Sequence, residues 1–133
     1  MSAADYGRTL SGLSVVIVRD VARSVPFYTG VLELRLLYSD EDFAAFEGEG
    51  VRLQLHADHT HGHMPWASRL TDDAKRGLGA EIRILGIDPD AAEKRARDAG
   101  FTVLVPARDW PHGWRDCVLE DPDGYTFAVG VPL

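Results

Sequence analysis

The chain has 133 residues, of which 45% are hydrophobic and 26% charged, with a formal net charge of −7 and one cysteine, Cys117. That length sets one globular domain with an ordinary core. The acidic balance argues against a nucleic-acid or anionic-membrane surface, and the single cysteine excludes an internal disulfide framework. No apolar run approaches the roughly 20 residues of a membrane span, and the start of the chain lacks a charged-then-apolar leader, so a cytoplasmic protein is expected.

Residues 1–12 are small and polar and read as a flexible lead-in. Leu13 to Val18 is a short, β-branched apolar run and predicts a buried strand. Asp20 follows as a helix N-cap, and Val21, Val25, Tyr28 and Leu32 recur at three- and four-residue spacing to give one apolar helical face. Pro26 is costly deep in a helix, which sets the expected helix start near Ser24. Strands are predicted at about Leu34–Tyr38, Phe43–Phe46 and Val51–His56, separated by Ser39-Asp40 and Gly48-Glu49-Gly50.

Residues 57–78 form the longest irregular stretch, rich in His, Pro, Gly and Asp, and are expected to cross the mouth of the fold, with Trp66 as a lid residue. Beyond it the pattern repeats. A strand at 80–85 leads to a helix opened by Asp88-Pro89 and closed by Gly100. Strands follow near Thr102–Val105, Arg115–Glu120 and Tyr125–Val129, the last one just after the turn Asp121-Pro122-Asp123-Gly124. The expected architecture is α+β: two β-α-β-β-β modules, at about 13–57 and 79–131, joined by a connection at about 58–78 within one domain spanning 13–131.

This order, with Ser24-Val25-Pro26-Phe27-Tyr28-Thr29-Gly30-Val31-Leu32-Glu33-Leu34 and Asp121-Pro122-Asp123-Gly124-Tyr125, resembles the vicinal oxygen chelate superfamily of glyoxalases, extradiol dioxygenases and bleomycin-resistance proteins. The resemblance covers Leu13 to Val131. It implies a curled, cup-shaped mixed sheet with helices on the outer face, often completed by a second chain, so a homodimer is expected. It also implies four positions, on the first and last strands of each module, where the superfamily's enzymes carry metal ligands. Seven residues before Asp20 and Asp88 stand Leu13 and Glu81; four after Gly50 and Gly124 stand Gln54 and Ala128. Leu and Ala carry no donor, and one carboxylate with one amide is too few for Zn²⁺ or Mg²⁺. No metal and no cofactor is expected.

Strand alternation assigns the neighbours of these positions. Val51, Leu53 and Leu55 go under the helices, leaving Arg52, Gln54 and His56 in the cup. Ala80, Ile82 and Ile84 go under, leaving Glu81, Arg83 and Leu85. After Gly124, Tyr125, Phe127 and Val129 go under, and Thr126 and Ala128 face in. The polar set either binds a ligand or lies on a solvated face or dimer seam. Trp110 and Trp114 are ligand platforms or core plugs. Bleomycin-resistance-like members commonly carry Trp-Gly-x-Arg before this strand; the chain matches at Gly113 and Arg115 and has His112 at the tryptophan position. Three lesser features are discounted. His59, His61 and His63 lack a scaffold for a metal site; Cys117 reads as a buried inert thiol; Glu93, Lys94, Arg95, Arg97 and Asp98 read as a solvated helix face.

The resulting expectation is a metal-independent small-molecule binding protein resembling bleomycin-resistance proteins, its ligand an antibiotic-like or aromatic metabolite held by Arg52, Gln54, His56, Glu81, Arg83, Trp110 and Trp114. The alternative is an enzyme of the glyoxalase/dioxygenase superfamily using the same cup: a metal-free lyase, isomerase or cyclase with Glu81 or His56 as general base, or a metal-dependent lyase or dioxygenase with unorthodox ligands that recruits His56.

Overall fold

The computed structural model describes residues 2–8 and 10–133. Its elements follow the repeat. Strand β1 (Ser14–Val18), helix α2 (Val21–Pro26) with a wide π-type turn (Phe27–Val31), β2 (Arg35–Ser39), β3 (Phe43–Gly48) and β4 (Val51–Ala57) make the first module. Strand β5 (Glu81–Leu85), helix α3 (Pro89–Asp98), β6 (Thr102–Asp109), β7 (Trp114–Glu120) and β8 (Thr126–Pro132) make the second. A short helix α1 (Ala3–Arg8) stands where a flexible lead-in is expected, and two 3₁₀ turns, Asp58–His61 and Ala67–Arg69, punctuate the connection.

Each module forms one four-stranded mixed sheet, ordered β1-β4-β3-β2 and β5-β8-β7-β6. The first strand of each runs parallel to the last, with Val16 opposite Leu55 and Ile82 opposite Phe127. Register shifts at Leu36–Tyr38 and at Val103–Val105–Arg108 bend the outer strands. The sheets remain open and do not close into a barrel.

Helix α2 starts earlier than the proline suggests. Asp20 caps it by accepting from the Arg23 amide, so helical turns begin at Val21 and Pro26 lies inside. The missing proline N–H is accommodated by widening: the Leu32 amide donates back to the Phe27 carbonyl, five residues away. That wide turn carries Phe27 and Tyr28 into the shared core. Phe27 lies 5.4 Å from both Phe101 and Phe127, and Tyr28 lies 5.3 Å from Phe46 and 5.5 Å from Phe127. The first module's helix therefore buries its aromatics against the second module's sheet, and one core serves both.

The two sequence motifs behind the resemblance bind each other. Tyr28, fully buried, donates its hydroxyl to Asp121 Oδ2 at 2.7 Å, and Asp121 Oδ1 accepts the amides of Asp123 and Tyr125 at 2.9 and 2.8 Å. Asp123 accepts Arg19 Nη1 at 2.7 Å and the Ser24 hydroxyl at 3.4 Å. Tyr125 closes the junction by donating its hydroxyl to the Ile17 carbonyl at 2.7 Å. Gly124 has φ +98°, a left-handed conformation that allows this tight turn.

The connection is strapped to the same junction. The Arg76 side chain, 2% exposed, pairs with Asp58, with Nη2 2.8 Å from Oδ2, while Arg19 Nη2 donates to the Thr71 and Ala74 carbonyls. The charges of α3 are not a purely solvated face. Lys94–Asp98 and Arg97–Glu93 are exposed i,i+4 pairs, but Arg95 donates to the Val31 carbonyl of the first module at 2.8 Å, and Glu93 accepts the Ala107 amide. Arg95 is close enough to the sheet junction to reach across it, which spacing along one helix does not reveal. Among the described residues no helix is long and apolar enough to cross a membrane.

Candidate functional site

Alternation holds on the strands that form the open faces. Leu53, Leu55 and Ala57 are buried, and Arg52, Gln54 and His56 lie half-buried on the opposite face. Cross-strand pairing puts Val15 and Ile17 beside Gln54 and His56, and Phe43, Ala45 and Glu47 on their other side. Arg52 donates to the Gly48 and Val51 carbonyls and lies 3.4 Å from Glu47, whose carboxylate also pairs with Arg35.

In the second module Glu81, Arg83 and Leu85 are exposed. Arg83 donates from Nε to Glu81 at 3.0 Å and approaches Asp116 at 3.7 Å. Asp116 is a residue that sequence reasoning missed. It is 4% exposed, and it shares the open face because Cys117 and Leu119 point into the core. The strand across from it supplies the room: a Cβ on Gly130 would lie 2.2 Å from the Arg115 carbonyl oxygen and 2.5 Å from Asp116 Cβ. Reading the alternation of 115–120 as was done for 51–56 finds it.

Two neighbouring clefts run between the modules. The larger, about 850 Å³, has Leu34, Val51, Ile84, Leu85, Ile87 and Pro132 as apolar lining, Trp114 as an aromatic wall, and Glu33, Glu49, Asp88 and Arg95 at its polar positions. The smaller, about 420 Å³, is lined by Leu13, Arg52 and Arg83 among others, and it shares Val51 and Ile84 with the first. Arg52 and Arg83 thus line the smaller cleft, and Trp114 lines the larger, which is of drug-like size. Asp88 also caps α3, and Arg95 is held by Glu33 at 2.9 Å and by the Val31 carbonyl.

The other predicted residues lie elsewhere. Trp110 sits in the β6–β7 turn, 4.2 Å beneath the Arg108 guanidinium and 6.1 Å from His112, and lines neither cleft. Gln54 and His56 belong to a chain of rings at the connection. His56 Nε2 is 2.9 Å from Gln54 Oε1, and His56 Nδ1 is 3.0 Å from His61 Nε2. His61 in turn stacks on Trp66 at 5.5 Å and on His63 at 6.2 Å. His59 turns away to Asp42, 2.7 Å distant. Burial, and then the neighbouring His61, hold His56 below the ordinary histidine value. The Cys117 thiol is pushed up to about 12, chiefly by burial and then by Glu93 and Asp116.

The four positions that the fold implies for a metal do not fit one. Leu13 and Ala128 offer no donor atom, Gln54 Oε1 is engaged by His56, and Glu81 is paired with Arg83. Among the described residues no group of three His, Cys, Asp or Glu side chains is arranged to hold an ion.

Comparisons with known proteins agree with this architecture. An uncharacterized protein of Mycobacterium bovis is 27% identical over 124 residues, covering 89% of this chain and 80% of that protein. A glyoxalase/bleomycin resistance protein/dioxygenase from Nocardioides superposes with a TM-score of 0.69 at 24% identity, covering 98% of this chain and 92% of that one. A lactoylglutathione lyase from Agrobacterium tumefaciens gives a TM-score of 0.63 at 18% identity, with 92% and 93% covered. At such identities the likeness is one of fold. The profile of one family matches residues 12–129, and the chain belongs to that family, the Glyoxalase/Bleomycin resistance protein/Dioxygenase superfamily.

Proposed function

We propose that the protein binds a small aromatic molecule carrying a cationic amine in the cleft between its modules, without a metal. The observation that carries this reading is Trp114, which lines a cleft of about 850 Å³ together with a set of aliphatic side chains. An indole face adds stacking and cation–π attraction to apolar burial. The charge balance at the rim favours a cation: Glu33, Glu49 and Asp88 face one guanidinium, Arg95, already neutralised by Glu33. Arg52 and Arg83 donate to acceptor groups at the far end of the ligand, with Glu81 and Asp116 holding Arg83 in place.

The functional unit in this reading is a homodimer in the cytoplasm. A second copy covers the open faces, where Leu13, Val15, Leu37, Tyr38 and Leu85 are 40–54% exposed. A second reading, a metal-independent lyase, isomerase or cyclase, is favoured by His56, whose burial shifts it toward the neutral form that a general base needs.

The test is tryptophan fluorescence titrated with cationic aromatic antibiotics and aromatic metabolites, in wild type and in Trp110→Phe and Trp114→Phe variants. Quenching that disappears with Trp114→Phe and persists with Trp110→Phe is expected. No change with any compound sinks the binding reading. Stoichiometric Fe, Mn, Zn or Ni in protein purified without a histidine tag sinks metal independence.

A further inference from the structure

We propose that the contact between His56 and His61 is an acid-released latch that holds the connecting segment, residues 57–66, down on the first module. The geometry is a facing pair of imidazoles, Nδ1 of His56 to Nε2 of His61, 3.0 Å apart, with ring centroids at 5.2 Å. The Gln54 carbonyl accepts from His56 Nε2–H, so in the neutral pair His56 Nδ1 is a lone pair and His61 Nε2–H donates to it.

Such a pair holds one proton but not two. A first proton converts the contact to a charge-assisted N–H···N bond. A second places hydrogens on both facing nitrogens, leaving no acceptor between two cations in contact. The ring floor offers no relief. His56 is flanked by Ile17 on β1 and Phe43 on β3, and His61 by Trp66 and His63, and neither latch ring is bonded to a carboxylate among the described residues.

The closed position also carries a cost. His61 Nδ1 is buried without a hydrogen-bond partner, which costs about 1–3 kcal/mol. Other tethers bear on the segment, among them the bond from the Ala57 amide to the Asp42 carbonyl. Arg76–Asp58 contains no imidazole. His59–Asp42 strengthens when His59 is protonated, yet its side chains are 63% and 57% exposed, so it offsets little of the latch.

The sign follows from the second proton, which the closed pair excludes and the open state accepts: the open state binds more protons, and opening becomes easier as pH falls through that second step, with the burial of His56 acting in the same direction. The experiment is amide hydrogen exchange on the full chain between pH 7.5 and 5, with rates divided by intrinsic rates. Reporters are the amides of Met64, Ala67 and Arg69, which bond to the His61, Met64 and Trp66 carbonyls. Their protection is expected to fall by up to about tenfold per pH unit on the acid side, the slope for one proton, while the β3–β4 ladder stays unchanged.

His61→Gln keeps a donor to His56 but does not titrate, and flattens the dependence; His59→Gln leaves it in place. Protection independent of pH in wild type overturns the latch, as does a dependence that survives His61→Gln or disappears with His59→Gln. Imidazole ¹⁵N titration of the wild-type protein guards against a variant that fails to fold: a His56 midpoint at or above 6.5 overturns the proposal equally. None of these outcomes depends on ligand binding in the inter-module cleft.

Discussion

Removing one oxygen tests the junction that holds the two modules, and with them the cleft. Tyr28→Phe deletes the hydroxyl that donates to Asp121 Oδ2 at 2.7 Å and leaves the ring contacts with Phe27, Phe46 and Phe127 in place. The Asp121 oxygen then stays buried with its side-chain donor gone. A hydrogen bond to a charged acceptor contributes about 1.5–3 kcal/mol, so a loss near 2 kcal/mol is expected. With an unfolding entropy of about 2.1 cal/mol/K per residue, that is a fall in Tm of about 7 °C. Urea and thermal unfolding followed by circular dichroism read both quantities. The partner substitution, Asp121→Asn, retains an oxygen for the amides of Asp123 and Tyr125, and the double variant is expected to show a coupling of about 1 kcal/mol or more. A Tyr28→Phe cost below about 0.5 kcal/mol, or strictly additive single variants, refutes the clamp. Burial outweighs the three donors and raises the Asp121 carboxyl above its ordinary 3.8. Its stabilising contribution is therefore complete below 3.8 and is lost as pH rises through the folded value, so the penalty of Asp121→Asn shrinks on going from about pH 4 toward neutrality.

Gly130→Ala forces a Cβ to within 2.2 Å of a backbone oxygen and is expected to cost about 3 kcal/mol, measured by urea unfolding. Cys117, fully buried and with its thiol pushed up to about 12, is expected to resist a disulfide reagent at pH 8 and to react only at the rate of unfolding. Trp114→Ala is expected to weaken ligand binding by about tenfold or more, the value of one aromatic contact, with little change in Tm. If the proposed dimer forms through the open faces, Leu37→Asp with Leu85→Asp is expected to convert it to monomers in light-scattering chromatography, since both side chains are exposed in the single chain.

Much of the fold was legible because it is repeated. Periods of two and 3.6 residues, an N-cap with N1 proline, and turn glycines occur at matched places, and each is a local signal. The open faces were legible for the same reason: alternation around Leu53 and Leu55 fixes where Arg52, Gln54 and His56 must point. The contacts between motifs were not. Ser24 and Tyr28 stand more than ninety residues from Asp123 and Asp121, so sequence marks both as distinctive without saying that they touch. Trp110 and Trp114 looked like one feature, yet one lies in a turn and the other on a strand, and the β6–β7 turn at Gly113, φ +93°, sends them to different surroundings. The His56–His61 contact depends on how the 3₁₀ turn Asp58–His61 folds back, which periodicity does not encode.

The way the repeat is broken sets the character of the two open faces. On the open face of the first module, β1 and the residue before it give Leu13, Val15 and Ile17, while β4 gives Arg52, Gln54 and His56. At the equivalent places of the second module the roles are exchanged: β5 gives Glu81, Arg83 and Leu85, and β8 gives Thr126, Ala128 and Gly130. Each module therefore has one strand rich in polar groups lying beside one smooth strand. A metal cage of this fold needs a donor from all four strands, and two of them have lost theirs. The same exchange creates room. Ala128 and Gly130 place no bulk next to Arg83 and Leu85, and Gly130 lets Asp116 lie beneath Arg83 as its counter-charge. Two polar strands and two smooth ones favour the proposed amphipathic ligand over the coordination of an ion.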